Sequence, residues 1–298
     1  MKASENTVVA KRSATWRDYY WLTKPGIIYG NALPAVAAFL FASANGFSLV
    51  KLSAVLLGQS CIIAAGCIAN NYQDRTIDAH MKRTEWRALV TGVISVRQAL
   101  LLALTLLLVG SIVLQVFVNT LTLWVGLTGF VSYVFLYGAT KRRGPYGTLV
   151  GSVAGAMPPV AGYTAVTGRL DIAALGLFLV LVTWQMPHFY AIALRRRQDY
   201  AAAKVPVLAV RKAARIVKQR ILLYVALFGV ATTTLFIVTD SSPIYLVVTT
   251  ALTIVWLYKG VRGFRVVNDT IWAKQMFLFS LWALLGTCVA IALAPVLP

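Results

Sequence analysis

In the segment NNYQDRTIDAHMKRTEWR, residues 70–87, three oxygen-bearing side chains recur at every fourth position: Asn70, Asp74 and Asp78. On a helix a step of four advances only about 40°, so all three share one face. Some twenty almost uninterrupted apolar residues precede them, and a carboxylate at membrane depth costs about 2.5–3.5 kcal/mol on insertion scales. Neighbouring carboxylates also repel each other. A hard divalent cation relieves both costs. Mg²⁺ takes one or two carboxylates together with phosphate oxygens and water, and Lys82, Arg83 and Arg87, which follow directly, bring phosphate-binding charge. The pattern reads as a magnesium diphosphate site. The alternative is a solvated loop whose acids pair with its own bases.

A second segment weakens that alternative. RRRQDYAAAKVP, residues 195–206, again begins at the end of an apolar run and presents Asp199 with Lys204 five residues on, behind Arg195, Arg196 and Arg197. Two acid-plus-base segments on one side of a membrane can clamp a polyanion from both ends. A third basic segment, TKRRGPYG at 140–147, is equally consistent with simple anchoring at the membrane surface. Histidine occurs only twice. His80 lies among the acids as an ordinary loop residue. His188, in WQMPHFYA, sits inside an apolar stretch, where an ionisable group is a functional candidate: haem ligation, proton transfer and a helix-to-helix hydrogen bond are all open.

These residues must be positioned by membrane helices. Of the 298 residues 59% are hydrophobic and 12% charged, far outside soluble usage. Apolar stretches long enough to span a bilayer, about 20 residues each, fall at 25–44, 49–70, 97–118, 121–139, 146–166, 171–194, 219–239, 243–261 and 271–296. All of the 28 Lys and Arg except Lys51 and Arg169 lie in the amino-terminal tail and in alternate loops. By the positive-inside rule this places the amino terminus in the cytoplasm and the carboxyl terminus outside. The basic residues are spread over short segments rather than gathered in one polar domain, so the net charge of +19 reflects topology and anion binding, not a nucleic-acid partner. Pro25 suits a first helical turn. Pro158 and Pro159 fall in mid-membrane, where a kink is better turned toward a protein cavity than toward lipid. Cys61, Cys67 and Cys288 lie in apolar runs without metal or redox spacing.

DYYWLTKPGIIYGN, NNYQDRTIDAHMKRT, YGATKRRGPYGTLVGSVAGAMPPVAGY and WQMPHFYAIALRRRQDYAAAKVPVL, in this order over residues 18–210, together resemble the UbiA-type intramembrane prenyltransferases, and within them the haem-farnesylating branch. That superfamily's first motif is Asn-Asp-x-x-Asp-x-x-x-Asp; Asn71 stands where its first Asp would be. The second motif is reduced to Asp199, and Thr76 and His80 depart from the pattern.

The resemblance implies an all-α bundle of nine transmembrane helices around a central cavity, with residues 1–24 as a cytoplasmic tail and 25–298 as one membrane domain in a bacterial inner membrane. It implies that Mg²⁺, held by Asn70, Asp74, Asp78 and Asp199, binds farnesyl diphosphate, with Asp74, Asp78 and Asp199 catalytic. Asn70, Asn71, Lys82, Arg83, Arg87 and Lys204 would hold the diphosphate. The farnesyl group would pass to a vinyl group of haem B with addition of water, giving haem O. His188 becomes the candidate for haem binding. Membrane lipid, a haem A synthase and a terminal oxidase are the expected partners. An aromatic prenyltransferase should carry a full second Asp motif, and a transporter should carry acids at mid-membrane rather than on one rim.

Overall fold

The computed structural model describes residues 12–44 and 46–296; Lys2, Lys11 and Pro298 lie outside them. The described residues are helical without strands. A short helix α1 (Trp16–Leu22) opens the chain, its first turn closed by the Asp18 carboxylate accepting from the Thr15 backbone at 2.8 Å. Trp16 and Trp21 stay exposed on it, as suits side chains at a membrane–water interface. Among the described residues, nine helices long and apolar enough to cross a membrane follow: α2 (Pro25–Ala42), α3 (Leu49–Asp78), α4 (Val96–Phe117), α5 (Thr120–Thr140), α6 (Gly147–Thr167), α7 (Ile172–Arg195), α8 (Ala214–Thr239), α9 (Pro243–Arg265) and α10 (Asp269–Leu293).

The count and order agree with the hydropathy reading, and most boundaries fall within three residues of it. The most consequential difference is at α3, which runs 30 residues, carrying Asn70, Asp74 and Asp78 on continuous helix past the end of the apolar run. Pro25 occupies the first turn of α2. In α6 the chain breaks at Ala156, so that Met157–Thr167 restarts as a helix with buried Pro158 and Pro159 in its first turn. Within α5, Ser132–Tyr137 is wound as a π-helix, a widening that often marks functional sites. Its Val134 carbonyl accepts from Gln73 Nε2 at 3.0 Å.

Helices in hydrocarbon gain little from the hydrophobic effect and associate through close packing of small residues. A Cβ on Gly110 of α4 would come within 2.6 Å of the Gly58 carbonyl of α3, and one on Gly162 of α6 would strike the Ala35 carbonyl of α2. Conversely, Leu101, Leu104, Leu108, Ile112 and Val116 of α4 are exposed along one face, which suits contact with lipid. α7 packs on α6, α8 and α10, and its mid-section is buried from Thr183 to Pro187.

Polar contacts separate the two ends of the bundle. At one end the residue before α2 touches the end of α3, and the end of α5 also touches α3. At the other, Asn119 reaches Thr164 and Tyr163 reaches Asp171. Alternate loops therefore share a side, as the charge pattern required.

Candidate functional site

The rim end of α3 supplies the frame. Asn70 and Asn71 are buried, Asp78 is buried and Asp74 half-buried, and burial at this depth obliges every charge to find a partner. Asp78 Oδ2 accepts from Arg87 at 2.5 Å. The same Arg87 nitrogen donates to Asn71 Oδ1 at 3.1 Å, and Asn71 Nδ2 donates to the Leu22 carbonyl at 2.8 Å, tying the end of α1 to α3. Arg87 can reach back because the chain turns after α3, with Thr84 Oγ1 donating to the Asp78 carbonyl at 3.0 Å.

Asp74 Oδ1 pairs with Lys141 at 2.6 Å, with Arg142 further off at 3.8 Å; Arg142 also donates to the Gln73 carbonyl. Asn70 Oδ1 receives Lys24 Nζ at 2.7 Å and the Tyr133 hydroxyl at 3.3 Å. Lys24 stands between α1 and α2 in left-handed conformation, φ 55°. Desolvation pushes its ammonium down to about 8, against the pull of Asp74 and Asp78. Burial likewise lowers Lys141, opposed by Asp74.

Across from α3 lies the segment after α7. Asp199 pairs there with Arg196 at 3.7 Å, and burial raises the Tyr200 phenol while the nearby positive charge of Arg83 opposes the rise. The two acid-plus-base segments thus approach each other. Lys82 and Lys204, both exposed, make no polar contact with the α3 acids, and Arg83 acts only through its charge.

The predicted set is therefore partly assembled. Asn70, Asn71, Asp74, Asp78 and Arg87 form one site; Lys24, Tyr133, Lys141 and Arg142 join it from α1–α2 and α5. Asn70, expected as a metal ligand, has its oxygen accepting from two donors, whereas its Nδ2 is buried with no hydrogen-bond partner among the described residues. That orphaned N–H suits a phosphate oxygen, not a cation. Asp199 stands on the segment after α7, beside Arg196. Among the described residues no three His, Cys, Asp or Glu side chains are grouped to hold a metal, and the segment after α7 pairs its acid with its own arginine. Asp74 Oδ2 and Asp78 Oδ1, one helical turn apart, are not the oxygens that carry the ion pairs and accept no hydrogen bond among the described residues, and this pair of hard oxygens fits Mg²⁺ with phosphate and water completing the shell. Lys24 and Lys141 had no individual signature; the only hint was that their basic segments fall on the same side as residues 70–87.

His188 sits on α7 seven residues before Arg195, hence about 10 Å below the rim. Its Nδ1 lies 2.8 Å from Ser280 Oγ of α10. Cys61, Cys67 and Cys288 are free thiols, and His80 is exposed with Nδ1 against the Thr76 carbonyl at 2.8 Å.

A model of the UbiA prenyltransferase family matches residues 31–284. A protein of Protochlamydia amoebophila named protoheme IX farnesyltransferase is 47% identical over 263 residues, covering 88% of this chain and 93% of its own. Among solved structures, one described as digeranylgeranylglyceryl phosphate synthase in membranes superposes with TM-score 0.77 at 17% identity, covering 94% of this chain and 98% of its own. A UbiA homolog from Archaeoglobus fulgidus bound to GPP and Mg²⁺ superposes with TM-score 0.69 at 18% identity, covering 92% of this chain and 99% of its own. At such identities the two structures share the fold.

Proposed function

The chain belongs to the UbiA prenyltransferase family, and we propose that it transfers the farnesyl group of farnesyl diphosphate to a vinyl group of haem B, with addition of water, to give haem O. The observation that carries the reading is the site at the rim of α3: two carboxylates with free oxygens and an orphaned amide, ringed by Lys24, Arg87 and Lys141. A ligand with a phosphate head and a long apolar tail matches a polar rim above a lipid-embedded bundle. The relative named protoheme IX farnesyltransferase, similar over almost its whole length, supports haem as the acceptor.

The chain's own residues bind and neutralise the leaving group. Asn70 Nδ2 offers its N–H to a phosphate oxygen, and Lys24, Arg87 and Lys141, with Lys82, Arg83 and Lys204 able to swing in from the surrounding loops, meet the charge that develops as the allylic C–O bond breaks and both its electrons leave with the diphosphate. Mg²⁺, held by Asp74 and Asp78 with Asp199 approaching from the segment after α7, would supply Lewis-acid charge at that diphosphate. The farnesyl cation is captured by the vinyl group. Water then adds to the carbon beside the porphyrin and loses a proton, so no protein nucleophile is needed. His188, one apolar layer below, would meet haem iron while the propionates reach toward the basic rim.

On this reading the protein is a multi-pass protein of a bacterial inner membrane, residues 1–24 cytoplasmic and 25–298 acting as one unit, with haem O passing on to a haem A synthase or a terminal oxidase. The test is direct. Membranes containing the protein, farnesyl diphosphate, haem B and Mg²⁺ should yield haem O by mass spectrometry of extracted haem, and chelation should abolish it. Asp74→Asn and Asp78→Asn should insert normally yet lose turnover by about 10²–10³-fold, the scale of one lost transition-state contact. Near-normal turnover in both would remove the site from the reaction.

A further inference from the structure

His188 is held more closely than a helix-packing residue requires. Its ring stacks on Trp184 at 4.9 Å and 26°, tilts against Phe277 at 5.0 Å and meets the edge of Phe189 at 5.3 Å. Both Trp184 and His188 of α7 converge on a single residue of α10: Trp184 Nε1 donates to the Ser280 carbonyl at 2.7 Å, and His188 Nδ1 meets Ser280 Oγ at 2.8 Å. The Ser280 hydroxyl is itself committed, donating to the Phe277 carbonyl at 2.5 Å. A serine has one hydroxyl proton, so with that proton on Phe277 its oxygen must accept, and the proton between the two residues belongs to the imidazole Nδ1. Nε2 then carries the lone pair, and it has no partner among the described residues.

We propose that Ser280 is a positioning residue: by taking the Nδ1 proton of His188 it fixes the tautomer and rotamer in which Nε2 presents its lone pair to the iron of the haem substrate. The proposal rests on the reading of His188 as the haem ligand and adds what makes it one. An imidazole that ligates through one nitrogen and donates from the other is both oriented and made more basic at the ligating atom, and loss of such an outer partner typically costs 10–100-fold in metal affinity. Trp184 completes the arrangement by locking the Ser280 backbone from the His188 side. Ligation through Nε2 would fix the plane of the porphyrin and its depth below the rim.

The experiment uses the purified full chain in lipid nanodiscs, titrated with haem B, as wild type, Ser280→Ala, Ser280→Thr and His188→Ala. Readouts are haem affinity, the Soret band, the iron–imidazole stretch of the ferrous complex by resonance Raman, and farnesyl diphosphate binding as a check on the fold. Ser280→Ala should keep the iron–imidazole band but move it to lower frequency, with haem affinity down about 10–100-fold; Ser280→Thr, which keeps the hydroxyl, should restore both. His188→Ala should lose the band. If Ser280→Ala matches wild type while His188→Ala loses the band, the ligand reading stands and the positioning role is overturned. If Ser280→Thr fails as badly as Ser280→Ala, the effect is packing and the proposal also falls. If His188→Ala keeps the wild-type spectrum, the ligand reading itself is overturned.

Discussion

Arg87 should be the least replaceable cation in the site, because among the described residues it makes the only ion pair of the most deeply buried acid. Asp78 is 5% exposed at its side chain and Arg87 19%, with 2.5 Å between them, and the same guanidinium nitrogen holds Asn71 at 3.1 Å. Arg87→Ala strands a buried carboxylate and frees an amide that fastens α1 to α3. Breaking a buried pair from one side costs about 3–5 kcal/mol. Removing the charge from both partners is far cheaper, since the neutral amide of Asp78→Asn can be buried at the cost of a hydrogen bond, about 1–3 kcal/mol. The expected result is therefore non-additive: Arg87→Ala unfolds most readily in detergent, and the Arg87→Ala, Asp78→Asn double variant recovers about 2 kcal/mol of that loss, the difference between the two costs above, while neither makes haem O. Thermal and denaturant unfolding of the four proteins of the cycle in one detergent measures it. An Arg87→Ala loss under about 1 kcal/mol, or a double variant no more stable than the single, refutes the assignment of Asp78's charge balance to Arg87.

Three further outcomes follow from particular contacts. Lys24 is charged below about 8 and neutral above, so kcat/KM for farnesyl diphosphate should fall as pH rises through that value, and Lys24→Met should be low and flat across the same range. Folding stability should run the other way, rising between about 8 and the ordinary lysine value, because there the unfolded chain binds more protons than the folded one; a kcat/KM limb that persists in Lys24→Met would assign it elsewhere. Gly162→Ala places a methyl against the Ala35 carbonyl and 3.1 Å from the Phe39 amide, backbone that cannot swing aside, so it should cost about 1–3 kcal/mol in the same melts, and an unchanged melt would mean that α2 and α6 are not locked together there. Reporter fusions at Asn119 and Pro298 should both read outside, as the basic asymmetry demands; an inside signal at either breaks the topology.

What the sequence determines here is what a bilayer imposes through composition alone. Spans of fixed length, and basic residues confined to alternate loops, follow from the cost of burying charge and unpaired backbone, so nine helices and a common rim for residues 70–87, 140–147 and 195–206 were legible without a structure. The helical face shared by Asn70, Asp74 and Asp78 was legible too, because a four-residue spacing is local geometry. The partner of each acid was not. Arg87 lies nine residues from Asp78, and Lys141 lies far along the chain from Asp74; which base meets which acid depends on where α5 and the turn after α3 land, which involves glycine-mediated packing and the π-helical turn whose Val134 carbonyl accepts from Gln73. Nor could the chain alone reveal that Asn70 presents its N–H rather than its oxygen. That follows from Lys24, at the junction of α1 and α2, and Tyr133, on α5, arriving to occupy the oxygen. Local spacing decides which side chains share a face; only tertiary packing decides which lone pairs and protons are left free, because in a site this dry every polar group is bound by whichever partner the fold brings within 3 Å or so.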